Sequence, residues 1–383
     1  MAHRVFTFKL MRIVHVTGYY PPHLGGMEYR TKNLAEYFAK LGYGVEVITS
    51  DIGCHKNKIP STDKLIVRYL KSFEVAHTPV MPSLPLRLLL LPRDSVIHLH
   101  ISQAILSEVT FLICKLRGLG YLAHIHLDVE ASGPMGVFLP FYKKYFLSHV
   151  IRGADAITVL TDYYKKLIIE KYDIKKNKIT VIPNGTYFKK ANNRKKTLHD
   201  PIRLLFVGRL SVQKNVPLLL EALSICIYQY KMNILLRIAG DGEKREEIKN
   251  LIKKLKLGRY VFMLGSVSPA QVQKLYNTSD VFILSSNSES FGTVVIEAMA
   301  TGTPVVATNI PAVRNTIKDK INGLLVKQNP QDMARAIYKL CNNSSLRENI
   351  VKNALLEVKK YNWEEVSNMY EKVYRNIFLR RKR

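Results

Sequence analysis

Short apolar runs rich in β-branched residues recur along the chain. Longer stretches with helical spacing of their apolar positions separate them. In the first half the runs are 12–18, 45–50, 95–100, 122–127 and 156–161. They are continuously apolar, the pattern of strands buried on both faces of a parallel sheet. Between the first two, residues 29–42 place Leu34, Tyr37, Phe38 and Leu41 on one helical face, and Gly42 ends the segment. A polar, basic stretch beginning at residue 189 interrupts the theme. It restarts with runs at 203–209, 234–240, 260–266, 280–286 and 303–308. The expected fold is α/β, with two Rossmann-like doubly wound domains facing each other across a cleft. Residues 1–190 form the first domain, 191–201 a linker and 202–363 the second. Chemistry is then expected just after the strands, where open α/β sheets bind ligands.

Composition narrows the class. With 47% hydrophobic and 23% charged residues in 383, the bulk is neither disordered nor fibrous. A formal charge of +28 asks for an anionic partner: nucleic acid, an anionic membrane or phosphorylated ligands. Residues 1–200 hold 29 Lys+Arg and 15 Asp+Glu, and the remainder holds the same, so no single module is basic. No groove-reading motif or stacking face appears, which argues against nucleic acid. Cys54, Cys114, Cys226 and Cys341 are too widely spaced for a metal or redox motif and read as buried thiols. No apolar run is long enough to span a bilayer, and the start lacks a secretory leader. Met11 begins a better strand than Met1, so residues 1–10 read as an unstructured extension or an artefact of start-codon choice. The expected location is cytoplasmic, with peripheral contact to a membrane face.

Four segments could carry chemistry. In 285–308 a strand gives way to a small-polar loop holding Glu289. Gly292 then opens a helix holding Glu297. Loop amides and a helix start suit an anion, and the two carboxylates suit hydroxyl-rich ligands. The plainer reading makes Glu289 a helix N-terminal acid and Glu297 a solvated one. In 207–215, Arg209 and Lys214 follow a strand and could share one diphosphate, or be two surface cations. In 19–30, Gly25 and Gly26 permit close backbone approach, without the dinucleotide fingerprint. In 122–130, His124 and His126 share a strand face and Asp128 follows. A metal would need further ligands, so a hydrogen-bonding histidine at the cleft mouth is the better reading, His126 lying nearer the strand end. His98 and His100 read as strand or cleft-rim residues. Residues 79–92 are apolar with prolines, either a lipid-facing segment or a loop into a buried helix.

Together these pieces resemble the family 4 glycosyltransferases, a retaining group with the GT-B fold. The segment Glu289-Ser-Phe-Gly-Thr-Val-Val-Ile-Glu297 is similar to the E-x7-E signature of that family. Gly208-Arg209 with Lys214, Ile182-Pro183-Asn184-Gly185, Ala239-Gly240-Asp241-Gly242-Glu243 and Gly25-Gly26-Met27-Glu28 stand in the family's order. Residues 361–374 resemble its crossover, so a helix at about 364–383 would complete the N-terminal domain.

The resemblance implies an acceptor-binding N-terminal domain and a C-terminal domain for a UDP- or GDP-sugar. Arg209 and Lys214 would hold the diphosphate, and Glu297 the ribose. Glu289 and the segment Phe291, Gly292 and Thr293 would hold the donor sugar. Gly25 and Gly26 would let amides approach the diphosphate, and His126 would be the active-site histidine. It implies sugar transfer to an acceptor hydroxyl in glycolipid or glycan synthesis, with no metal and no resident cofactor. The acceptor would be lipid-linked or a glycan. Lys143, Lys144, Lys165 and Lys166 beside Phe141, Tyr142, Tyr145 and Phe146 would suit an anionic membrane. A sugar-nucleotide epimerase of the same fold and a basic nucleic-acid binder are the alternatives.

Overall fold

A computed structural model describes residues 11–23, 25–54, 58–75, 78–101, 104–126, 139–188 and 197–382. The extension at 1–10, Asp128 and linker residues 191–196 lie outside the described residues. The chain forms two compact units. One is Met1–Asn184 with Trp363–Arg383; the other is Gly185–Asn362.

The first unit contains β1 (Arg12–Val16), β2 (Gly44–Ser50), β3 (Leu65–Leu70), a β4–β5 hairpin (Phe73–Val75, Thr78–Val80), β6 (Ser95–Ile101), β7 (Gly120–Ile125), β8 (Ala156–Val159) and β9 (Ile179–Val181). Seven of these form one sheet in the order β3-β2-β1-β6-β7-β8-β9, parallel throughout. The helix after β1 runs Gly26–Lys40, starting earlier than its apolar spacing shows. Leu34 and Phe38 are buried, but Leu41 is exposed. The helix has ended by Leu41, so this residue leaves the expected face. Gly42 takes φ +90° and turns the chain into β2.

The helix Trp363–Lys382 packs into this unit. Its Trp363, Val366, Tyr370, Tyr374, Ile377 and Phe378 share a core with Ile13, Phe38, Val96 and Leu122. Each such side chain contributes about 1.5–3 kcal/mol on burial. Gly120 permits the close approach: a Cβ there would lie 2.4 Å from Ile377 Cγ2.

The second unit contains β10 (Ile202–Val207), β11 (Ile234–Ala239), β12 (Val261–Gly265), β13 (Val281–Leu284), β14 (Val305–Thr308) and β15 (Leu324–Val326). Their order is β12-β11-β10-β13-β14-β15, again all parallel. Residues 197–201 are docked on this unit. Leu198 packs against its core, and the buried Asp280 accepts from His199 N (3.2 Å) and Arg203 N (2.8 Å). The four cysteines are buried and free.

Both sheets follow the doubly wound order, in which winding reverses beside the first strand. The reversal lies between β1 and β6 in one unit and between β10 and β13 in the other. At such a point the loops leave in opposite directions and open a crevice at the carboxyl ends of the strands.

Candidate active site

In the second unit, the loops leaving β10 and β13 are laced together at that crevice. Asn287 N donates to Gln213 O (2.8 Å), and Gln213 Nε2 returns a bond to Ser288 O (2.9 Å). Asn287 Nδ2 donates to Val212 O (3.1 Å), and Ser285 Oγ to Lys214 O (2.9 Å). Inside this lacing, Lys214 Nζ stands 2.5 Å from Glu289 Oε1, which also accepts from Ser286 Oγ at 2.7 Å. The two side chains are 17% and 8% exposed, so the pair works at reduced dielectric. Glu289 is therefore the partner of Lys214 and more than a helix N-terminal acid.

The loop after β11 presses on the same place. A Cβ on Gly240 would stand 1.9 Å from Gly208 O, and one on Gly242 2.4 Å from Leu210 O. Only glycine allows the two backbones to run this close. Arg209 leaves this contact largely exposed, its Nε 3.3 Å from Glu243 Oε2. The structure brings Lys214 and Glu289 together; it does not bring Arg209 to them.

Gly292 caps the helix Thr293–Ala300 with φ +82°, a left-handed conformation that favours glycine. Phe291 is buried, its ring centroid 5.7 Å from that of Tyr361, and anchors the turn. Thr293 opens the helix, whose amide end favours an anion. Glu297 sits half-buried on the next turn, where Tyr276 OH reaches its Oε2 at 3.2 Å and Val294 O at 3.1 Å. Burial pushes the Glu297 carboxyl up to about 7, against the opposing bond from Tyr276. The solvated reading of Glu297 is thus replaced. Nothing in the sequence flagged Tyr276 or Ser286, whose roles arise from packing.

In the first unit, Gly25 and Gly26 differ. Gly25 is extended, and a Cβ there would meet Glu28 Oε2 at 2.1 Å, because that carboxylate folds back over it. A Cβ on Gly26 would meet nothing within 4 Å.

Five histidines line one sheet face. Strand register sets His15 beside His98 and His100 beside His124, and His126 follows the end of β7. The rings of His98 and His100 stack at 4.2 Å. His100 Nδ1 lies 2.9 Å from His126 Nε2, and His100 Nε2 lies 3.1 Å from His15 Nδ1. His98 Nδ1 meets Tyr374 OH (2.6 Å); His124 Nδ1 meets Thr158 Oγ1 (2.8 Å) and Tyr370 OH (3.0 Å). Arg30, itself buried, donates to Tyr370 OH at 2.6 Å. Burial lowers the pKa of His15 to about 3. Burial and then the Arg30 charge hold His124 and His126 well below the ordinary value. These rings are neutral.

His98 and His100 are not rim residues: they are 0% and 1% exposed. Their alternation hid this, since the covering helix comes from the far end of the chain. Nitrogens of His15, His98 and His100 lie within 4.8 Å of one another. Among these, His15 Nδ1, His100 Nε2 and His98 Nδ1 are already engaged in hydrogen bonds.

Parallel α/β units with a cation–carboxylate pair at the winding reversal define a class of ligand-binding α/β proteins, and comparison with known proteins specifies it. The family model "Glycosyltransferase Family 4" matches residues 24–187, and "Glycosyl transferases group 1" matches 188–356. The chain belongs to this glycosyltransferase family, with the GT-B fold.

Relatives cover most of its length. An uncharacterized glycosyltransferase of Methanocaldococcus jannaschii is 28% identical over 95% of this chain and 98% of its own. The D-inositol 3-phosphate glycosyltransferase of Corynebacterium urealyticum is 27% identical over 92% and 91%. A component of the phosphatidylinositol N-acetylglucosaminyltransferase of Arabidopsis thaliana is 27% identical over 95% and 81%. Among solved structures, a sucrose-phosphate synthase from Thermosynechococcus elongatus superposes with TM-score 0.77 at 20% identity, over 96% of this chain and 99% of that one. Anabaena HepE, solved with UDP and glucose, gives 0.75 at 17% over 96% and 100%.

Proposed function

We propose that the protein moves a sugar from a nucleoside-diphosphate sugar to an acceptor hydroxyl, with retention at the anomeric carbon and without a divalent metal. The Lys214–Glu289 pair at the β10/β13 reversal carries this reading. Its ammonium can neutralise charge growing on a departing diphosphate, with the exposed Arg209 as a second cation. Its carboxylate can accept sugar hydroxyls, assisted by the Phe291–Thr293 turn. Glu297 binds the ribose. Double displacement needs a second carboxylate free to attack the anomeric carbon, and Glu289 is committed to Lys214. Attack from the leaving-group face, with the departing phosphate taking the acceptor proton, fits better. Trapping a covalent glycosyl–enzyme would sink this mechanism.

UDP is the favoured nucleotide over GDP, because HepE was solved with UDP. The acceptor is read as lipid-linked or a glycan; the names of two relatives refer to inositol phosphate and phosphatidylinositol. The first unit supports membrane contact. Among the described residues no helix is long and apolar enough to cross a bilayer. Instead the helices Leu84–Leu89 and Leu106–Arg117 and the turn Lys143–Leu147 pack in sequence. They expose Leu86, Leu90, Leu112, Leu116, Tyr145 and Phe146 beside Lys115 and Lys144. Exposed apolar side chains with two lysines on the same elements suit insertion at an anionic surface. Within residues 79–92, Leu84 and Leu88 are buried while Leu86 and Leu90 are exposed, which leaves the second pair free to meet lipid.

The test is release of nucleoside diphosphate from UDP- and GDP-sugars, with and without a lipid extract, for wild type and Glu289→Ala. Acceptor-dependent release lost in the variant is expected. Release of a rearranged free sugar without acceptor would favour an epimerase instead.

A further inference from the structure

The histidine face contains more order than a buried polar cluster needs. His15, His100 and His126 form a single file, joined His15 Nδ1 to His100 Nε2 (3.1 Å) and His100 Nδ1 to His126 Nε2 (2.9 Å). A neutral imidazole has one N–H and one lone pair. All three N–H groups must therefore point the same way along the file. Either His126 carries its proton on Nδ1 and is a donor there, or it carries it on Nε2 and Nδ1 is a bare acceptor.

Two observations choose between these states. The far end, His15 Nε2, is buried and has no hydrogen-bond partner among the described residues. If the protons ran towards His15, this atom would be an orphaned N–H, which folded proteins avoid more strictly than an unused lone pair. Thr31 gives the second. Its hydroxyl donates to Met27 O at 3.0 Å, so the oxygen facing His100 Nδ1 at 3.5 Å offers only lone pairs. That favours a proton on His100 Nδ1. Both observations send the protons from His15 towards His126.

We propose that His15 and His100 are positioning residues that fix the ring of His126 and set its tautomer, so that His126 presents an N–H at Nδ1. Among the described residues no hydrogen-bond partner stands at that nitrogen. The chemical consequence rests on the expectation that His126 is the active-site histidine: an N–H at Nδ1 makes it a hydrogen-bond donor to a ligand and not a base. The buried Arg30 protects the arrangement, because its charge opposes protonation of the neighbouring rings.

The test uses the full chain labelled with 15N-histidine, in which the two nitrogens of each ring report which one carries the proton. Signals of His126 are identified by their loss in His126→Phe. The expected wild-type spectrum has protonated Nδ1 and bare Nε2 at His126. His15→Phe does not touch His126, yet it should mix the two tautomers there. It should also lower kcat by roughly tenfold to a hundredfold at unchanged donor KM, up to the low end of what a positioned acid–base group supplies. His15→Asn keeps an amide N–H near the place of Nδ1 and should restore both readouts. A wild-type His126 protonated on Nε2 would overturn the proposal. So would an unchanged His126 spectrum and kcat in folded His15→Phe, or one equivalent of zinc in the protein as purified, since zinc takes the same lone pairs. Full turnover in His126→Phe would refute the role of His126 while the spectrum still reports the file. If His15→Phe does not fold, the wild-type spectrum alone decides.

Discussion

Lys214 and Glu289 meet at 2.5 Å across two loops that leave adjacent strands, and each is the other's principal charge partner. In the ligand-free chain the carboxylate occupies the ammonium that the proposed reaction needs. A diphosphate must compete with Glu289 for it. Glu289→Gln should therefore tighten binding of the nucleoside diphosphate a few-fold while lowering turnover by roughly 100-fold or more. Lys214→Ala should weaken both. Calorimetric titration beside a release assay separates these patterns; weaker nucleotide binding in Glu289→Gln would show that the two side chains do not compete.

Glu297 supplies a pH signature. Its carboxyl titrates near 7 because burial penalises the charge. The proposed ribose contact strengthens when the acid ionises, because charged acceptors make the stronger hydrogen bonds, so nucleotide affinity should rise between about pH 6 and 8. Glu297→Gln should flatten that dependence and bind more weakly. The same shift affects stability in the opposite direction. The folded state holds a proton that the unfolded chain has released above about 4.5, so this contribution is lost as pH rises from about 4.5 to about 7.

The histidine face should respond to acid. His15, His98, His100, His124 and His126 are held neutral in the fold, and all would take up protons once unfolded. Their folded pKa values are depressed, so the stability they confer is present above about 6.5 and lost as pH falls below it. The slope is about 1.4 kcal/mol per pH unit for each ring that charges only on unfolding. For His15 the window runs from about 6.5 down to about 3. Urea midpoints at pH 7.5 and 5.5 should show a marked fall, while His98→Phe should shrink it if the variant packs.

Gly240 and Gly26 make a contrasting pair. Gly240→Ala drives a Cβ against Gly208 O at φ +141°, and should cost about 1–3 kcal/mol or more with loss of activity. Gly26→Ala meets open space at a helix start and should leave the melting temperature unchanged or higher. A raised donor KM in Gly26→Ala would then support the expected role of this glycine in donor binding, and an unchanged KM would remove it.

Vesicle flotation tests the membrane face. Leu116→Glu with Phe146→Glu should abolish binding to anionic vesicles, and leave turnover of a water-soluble acceptor unchanged. Both side chains are at least half exposed, so their loss removes little packing.

The strands were legible because burial on both faces writes continuous apolar runs, and β1, β2, β6 and β10 fall within a residue or two of those runs. Short β9 and β15 carry too few residues to stand out. Lys214 and Glu289 were legible singly, each following a strand, but their direct pairing was not, since it depends on the lacing of Gln213 with Asn287. His15 carried no signal at all. Its importance comes from register with β6 and from Tyr370 and Tyr374, which cover that face from hundreds of residues away.

That last helix has a consequence for how the molecule is made. The core of the first unit includes Trp363, Tyr370, Tyr374 and Ile377, whereas Gly185–Asn362 is continuous in sequence. On the ribosome, where domains tend to fold as their residues emerge, the second unit has all its parts first. The first unit waits until residues 363–382 have been made, with part of one sheet face uncovered. Early stop codons within 363–382 would therefore damage the half of the protein synthesised earliest, and leave the Gly185–Asn362 half intact.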